Sequence, residues 1–266
     1  QQNIRTISHR GVRVITPGTG ELACGYEAEG RMAEQQQIME FVQTMFRADF
    51  SRLRVLVSVG GTEEDLDPVR VITNRSSGRM GFALAEAARD RGALVTVVAG
   101  RTSVLPPTGI KVVSVRTTAE MSRALKEEFV DSDVLVMAAA VSDYVAAVRE
   151  THKKKDDTWT VELTKGEDIL QALGRMKGKR YMIGFALETE DVEANAKKKL
   201  EKKNCDLMVV NNLGEEGAAF EHDTNIVTIY SPSGKILTTK LQTKREIADI
   251  IFDVASRQET FQNIDA

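Results

Sequence analysis

Cysteine is scarce in this chain of 266 residues. Cys24 and Cys205 stand far apart and without metal-ligand spacing, which argues against a disulfide framework or a zinc site and points to a reducing cytoplasm. Long apolar runs are missing too. The longest, "VLVMAAAV" at 134–141, is too short to span a bilayer, and the Gln- and Arg-containing N-terminus has no signal-peptide core. The expectation is a soluble cytoplasmic protein with no membrane partner. There is no basic excess: 36 Lys and Arg against 39 Asp and Glu leave a net charge of -3, which argues against nucleic acid as a partner. Both common phosphate-loop fingerprints are absent as well. The stretch "ITNRSSGRMGFALAEAARDRGALVTVVAG" (72–100) reads as loop, helix and strand, yet has neither the Lys-Ser/Thr ending of a P-loop nor G-x-G-x-x-G.

What is present is ordinary for a globular protein: 42% hydrophobic and 28% charged residues, enough for one large domain or two smaller ones. From residue 53 onward short apolar runs alternate with amphipathic stretches. The segments 53–59, 94–99, 111–115, 133–138, 181–185 and 206–210 are apolar on both faces and predict buried strands. The segments 78–92, 118–130, 167–176 and 191–204 have helical spacing. This pattern predicts an α/β fold: a doubly wound, mostly parallel, Rossmann-like sheet with ligands in the crevice beyond the strands' carboxyl ends. Two features break the alternation. "TWTVEL" (158–163) alternates with period two, and "NIVTIYSPSGKILTTK" (225–240) predicts an antiparallel hairpin. Thr243 with Glu246 predicts a capping box for a closing helix. Residues 1–50 differ in texture and read as an N-terminal arm or the end of an upstream domain, unable to make a sheet of their own. Residues 51–258 form the main domain and 259–266 a tail.

Several segments carry chemistry. Gly60 and Gly61 permit a tight turn after the first strand, and Ser76, Ser77 and Gly78 sit where the next helix begins, so a phosphate could dock there. The plain alternative is a Ser-capped helix after an ordinary loop. In "AAAVSDY" (138–144) small residues permit close approach of a flat base or ribose, and Asp143 offers an acceptor or, alternatively, a helix cap. Lys199 and Lys203, four apart, share a helix face suited to a polyphosphate; a solvated surface is the competing reading.

Taken together, "DPVRVITNRSSGRMGFALAEAA", "AAAVSDY", "HKKK", "GFALET" and "KKKLEKKNCDLMVVNN" resemble the phosphopantothenate-cysteine ligase family of coenzyme A biosynthesis, over roughly residues 53–256. In bacteria that ligase is usually the C-terminal half of a bifunctional protein whose N-terminal half is a flavin-dependent decarboxylase. "ACGYEAEGRM" (23–32) is similar to the substrate clamp of the decarboxylase half, so Cys24 matches its proton-donating cysteine. The FMN-binding core and active-site histidine of that half have no counterpart here, and no decarboxylase activity is expected of this chain alone.

The resemblance implies roles for individual residues. Asn74 matches the asparagine that handles the activated acyl intermediate, and Arg70, Ser76, Ser77 and Gly78 would seat phosphopantothenate or the triphosphate. Ala139, Asp143 and Phe185 match nucleotide-pocket positions, with Asp143 contacting the ribose or, indirectly, Mg²⁺. Lys199 and Lys203 match lysines that grip the triphosphate of CTP. Gly166, Glu167, Asp168 and Ile169 stand where many members have Asn-Pro-Asp-Ile around the cytosine. The family's Lys-x-Lys-Lys reads here His152-Lys153-Lys154-Lys155. Either His152 or Lys153 takes the catalytic lysine's place, and Lys153 is favoured because a permanent charge stabilises a pentavalent phosphorus better than a mostly neutral imidazole.

The implied reaction activates the carboxylate of 4'-phosphopantothenate with CTP to an acyl cytidylate, which the amine of L-cysteine then attacks, releasing CMP. A homodimer with a contact near "TWTVEL" is implied, as part of a larger decarboxylase-ligase oligomer in the full-length protein. Two readings compete. A short-chain nicotinamide-dependent reductase would use Tyr144, but the lysine it needs four residues later is Val148. A non-catalytic nucleotide-binding module would bind CTP without releasing pyrophosphate.

Overall fold

The computed structural model describes residues 2–9, 12, 14–15, 17–21, 27–35, 38–39, 41–42, 47–188, 191–212 and 223–264. They form two compact units that divide between Asp49 and Phe50. In the first unit, helix α1 (Gln2–His9) precedes strands β1 (Gly18–Glu21) and β2 (Glu27–Arg31), which pair antiparallel. The expectation that this segment makes no sheet of its own is therefore corrected: two short strands pair their backbone groups with each other. Cys24 lies outside the described residues.

The second unit begins with β3 (Arg54–Val59), β4 (Glu63–Asp65), β5 (Val71–Thr73), α2 (Arg79–Asp90), β6 (Leu94–Ala99) and β7 (Lys111–Ser114). It continues through α3 (Thr118–Phe129), β8 (Val134–Met137), β9 (Tyr144–Ala146), β10 (Leu163–Lys165), α4 (Ile169–Arg175) and β11 (Tyr181–Glu188). It closes with α5 (Val192–Lys203), β12 (Leu207–Asn212), β13 (Thr224–Asn225), β14 (Val227–Ser231), β15 (Gly234–Thr238), β16 (Gln242–Thr243), α6 (Lys244–Ser256) and α7 (Glu259–Gln262).

Eight strands make the central sheet in the order β15-β14-β12-β11-β8-β3-β6-β7. The six from β12 to β7 run parallel, and β14 and β15 add the antiparallel hairpin at one edge. The parallel part has the doubly wound Rossmann order, which reverses between β3 and β8. Its strands are apolar on both faces because both are covered. Val55, Val57 and Val59 of β3 join a core with α2 and α6, while Leu56 joins a second core with α3, α4 and α5. The two sets of helices therefore bring their first turns to the strands' carboxyl edge from opposite faces.

Three places differ from the sequence-based expectations. The long connection after β3 contains the hairpin β4–β5, too short to leave a readable alternation. Of "TWTVEL", only Leu163 enters a strand; β10 pairs with β9, and residues 158–162 stay outside the ladder. The segment after 258 packs rather than trails: Phe261 is buried, 5.3 Å from the ring of Phe50 and 5.0 Å from that of Tyr181.

Candidate active site

A cavity of about 940 Å³ opens at the carboxyl edge of the sheet, beyond the ends of β8, β11 and β12. Its floor is Ala138, Ala139 and Ala140, which leave β8 without bulk, with Phe185 beside them on β11. The strand end is pinned by backbone bonds: Ala140 N–H donates to the Gly60 carbonyl at 2.8 Å, and Ala139 N–H to the Ser58 hydroxyl at 3.1 Å. Gly60 has φ +80°, and a Cβ there would collide with the Arg101 carbonyl. The chain can make this turn beside β8 only with glycine.

Asn74 and the turn Ser76-Ser77-Gly78 form one wall. The Asn74 amide donates to the Val141 carbonyl at 2.9 Å, which ties the loop after β5 to the end of β8 and fixes the side chain's direction. Gly78 caps α2 with φ +79°, where a Cβ would lie 2.6 Å from a Thr102 methyl.

Asp143, Gly166, Glu167, Asp168 and Ile169 also line the cavity. Gly166 N–H donates to the Asp143 carbonyl at 2.8 Å. Asp168 caps α4 through the Gln171 amide and pairs with Lys203 at 3.4 Å. Glu167 turns toward α3, accepting from the Ser122 hydroxyl and the Lys126 ammonium, each at 2.6 Å. The Lys126 ammonium and the Ser122 hydroxyl hold its carboxyl below the usual glutamate range. Asp143 is not a helix cap; it precedes β9 with its side chain exposed to the cavity.

Helix α5 contributes Lys198, Lys199, Lys202 and Lys203, two adjacent stripes at helical spacing. Lys199 is paired with Glu188, which also accepts from the Asn195 amide at 3.2 Å. The remaining cations are Arg75, Arg79, Lys165 and Lys244, so eight basic side chains face four acidic ones: Asp143, Glu167, Asp168 and Glu188. A chain of net charge -3 thus concentrates positive charge in this crevice, the arrangement that draws in polyanions.

The structure brings Asn74, Ser76, Ser77, Gly78, Ala139, Asp143, 166–169, Phe185, Lys199 and Lys203 to one cavity. Arg70, His152 and Lys153 are not among its lining residues. Arg70 instead pairs with Asp67 at 2.5 Å, donates to the Lys154 carbonyl and lies over the Trp159 ring. The lysine-rich loop is docked on that same Asp67, whose carboxylate accepts from the Lys154 amide. The sequence reading passed over Lys198, Lys202, Arg79 and Lys244. The first two were legible as a second stripe at spacing four; Arg79 and Lys244 open helices, and nothing local shows that two first turns face one crevice.

The chain's relatives share this architecture. The C-terminal domain of the coenzyme A biosynthesis bifunctional protein CoaBC, as a crystal structure, superposes with a TM-score of 0.66 at 39% identity, over 76% of this chain and 94% of that one. The full CoaBC of Bacillus subtilis strain 168 is 37% identical over 264 residues, 96% of this chain and 65% of that protein. The chain thus spans a little under two thirds of that relative. A protein of an unknown prokaryotic organism, named cysteine/cysteine sulfinic acid decarboxylase, is 42% identical over 262 residues, 94% of this chain and 73% of its own length. The family of the DNA/pantothenate metabolism flavoprotein C-terminal domain matches residues 50–258, the whole of the sheet and its cavity, and the chain belongs to that family.

Proposed function

We propose that this chain joins 4'-phosphopantothenate to the amine of L-cysteine in coenzyme A biosynthesis, through an acyl cytidylate formed from CTP. The observation that carries this reading is the convergence of Asn74, the small-residue strand end at 138–140 and the α5 lysines on one cavity. A carboxylate is a poor acylating agent because oxide is a poor leaving group. Transfer to the α-phosphorus of a nucleotide converts that oxide into a phosphate ester and expels pyrophosphate. The amine of cysteine then attacks the acyl carbon and CMP departs, with no covalent bond to the enzyme.

The chain's own residues would serve these steps by position and charge. Lys199 and Lys203 would exchange their carboxylate partners, Glu188 and Asp168, for phosphate oxygens as the triphosphate enters. Asn74, oriented by Val141, would hold the acyl group in line. Ala139 and Phe185 would offer a flat apolar seat to the base, and Gly166 to Ile169 its edge. Glu167, engaged with α3, leaves backbone groups of this wall to read the base. Among the described residues no set of three or more His, Cys, Asp or Glu could hold a metal. Mg²⁺ would be carried mainly by the substrate phosphates, with Asp143 as its carboxylate, directly or through water, and would offset charge on the triphosphate. Ser76, Ser77 and Gly78 would face phosphopantothenate. Arg70 and the loop with His152 and Lys153 would act from outside the lining of this cavity, by loop movement or across a homodimer. Among the described residues no helix is long and apolar enough to cross a membrane.

Incubation with phosphopantothenate, cysteine, Mg²⁺ and either CTP or ATP tests the reading. Phosphopantothenoylcysteine, CMP and pyrophosphate should form in equal amounts with CTP. Absence of turnover with both nucleotides would reduce the chain to a binding module.

A further inference from the structure

Thr62 is fully buried and is not among the residues that line the cavity. It nevertheless bonds to two segments that carry polar side chains there. On one side its carbonyl accepts from the hydroxyl of Thr73, the neighbour of Asn74, at 2.8 Å. On the other its hydroxyl accepts from the amide of Ser142, which stands between Val141 and Asp143, at 2.9 Å. The Asn74 side-chain amide donates to the Val141 carbonyl at 2.9 Å. These three bonds close a ring that runs from Thr62 to Thr73 and Asn74, across to Val141 and Ser142, and back to Thr62. We propose that Thr62 is a positioning residue for the acyl-transfer chemistry, which sets the direction of the Asn74 side chain by holding both ends of its tether. This rests on the ligase reading and adds to it a residue that touches no substrate.

The ring is anchored to regular structure on two sides. Gly61, the residue before Thr62, exchanges backbone bonds with Arg101 at 2.9 and 2.8 Å. The Thr62 hydroxyl shares a further bond, at 3.1 Å, with the hydroxyl of Thr118, the first residue of α3, whose start is fixed by a capping box. Thr118 is buried in turn and donates its amide to Glu64 at 2.6 Å. The residue type at 62 follows from these bonds. Ser142 is buried, so its N–H needs an acceptor inside the protein, and the Thr62 hydroxyl supplies one. Valine has the shape of threonine but no acceptor. It would leave that N–H unsatisfied and free the Val141 carbonyl to move with Ser142, so that Asn74 loses its fixed direction while every group that lines the cavity is kept. Serine keeps the hydroxyl and with it the ring.

The test measures kcat and KM for the full chain and for Thr62→Val, Thr62→Ser and Thr73→Val, each alone and combined with Asn74→Ala, with melting temperatures as the folding control. Thr62→Val should lower kcat by about 10- to 100-fold and leave KM for CTP within about twofold, the signature of a misdirected group and not of a damaged nucleotide pocket. Thr62→Ser should stay within about threefold of wild type. Thr73→Val opens the ring at a different bond and should also lower kcat, which decides the point if Thr62→Val does not fold. With Asn74→Ala in place the tether holds nothing, so adding Thr62→Val should slow turnover by less than about twofold more, whereas a merely structural residue would multiply the two losses. Multiplied losses, an unchanged kcat in Thr62→Val, or a Thr62→Ser variant as slow as Thr62→Val overturns the assignment. The side-chain amide resonances of Asn74, identified by their absence in Asn74→Ala, read the tether without turnover: they should shift in Thr62→Val and return in Thr62→Ser. Wild-type protein that forms no product while these signals respond would sink the ligase reading and leave the tether standing; signals indifferent to Thr62→Val would sink the tether alone.

Discussion

Asp67 has no exposed side-chain surface and does not line the cavity, yet it joins two distant parts of the chain, its own turn and the loop at Lys154. Its carboxylate accepts from the amides of Val69 and Arg70 at 2.8 Å, from the amide of Lys154 at 3.3 Å and from the Arg70 guanidinium. Burial pushes its pKa up, but the Val69, Arg70 and Lys154 amides and the guanidinium outweigh that and hold it at about 2. A folded pKa below the ordinary aspartate value means that the stabilisation is complete above the unfolded pKa and is lost as pH falls through about 2. The lysine-rich loop should therefore stay docked in mild acid. Asp67→Ala should release it at neutral pH: trypsin should cut at Lys153–Lys155 about tenfold faster than in wild type, a local opening rather than global unfolding. Equal cleavage rates would show that the loop is held by something else.

At the scale of elements, α6 gives the clearest case of sequence dictating structure. The Thr243 hydroxyl accepts from the Glu246 amide and the Glu246 carboxylate accepts from the Thr243 amide, the capping box read from Thr-x-x-Glu. Thr243→Ala should cost about 1 kcal/mol and lower the melting temperature by about 2–4 °C, measured by calorimetry. An unchanged melting point would mean that packing of α6 on α2 alone fixes the helix start. The parallel strands and the hairpin β14–β15 were legible for a similar reason: each has a buried face or faces long enough to leave a pattern. β4, β5, β9 and β10 are three residues each, shorter than the windows over which alternation is visible. At the site, Asn74 and the turn at 76–78 were readable because one short stretch holds them. Lys244 was not, since its position in the wall follows only from two helices meeting at one edge of the sheet.

For the molecule as a whole, the sheet edge is the organising feature. It is where the strand order reverses, where small residues open a crevice, and where helices of both faces direct cations at the same space. An acyl-nucleotide mechanism needs two anionic substrates in one cation-lined crevice, which a nucleotide-binding module does not. The most direct measurement is rapid-quench analysis of the enzyme with phosphopantothenate, CTP and Mg²⁺ in the absence of cysteine. The account predicts a burst of pyrophosphate approaching one per active site and an acid-trapped acyl cytidylate that later cysteine converts to product and CMP. Pyrophosphate that appears only when cysteine is present, with no trapped acyl nucleotide, would contradict it.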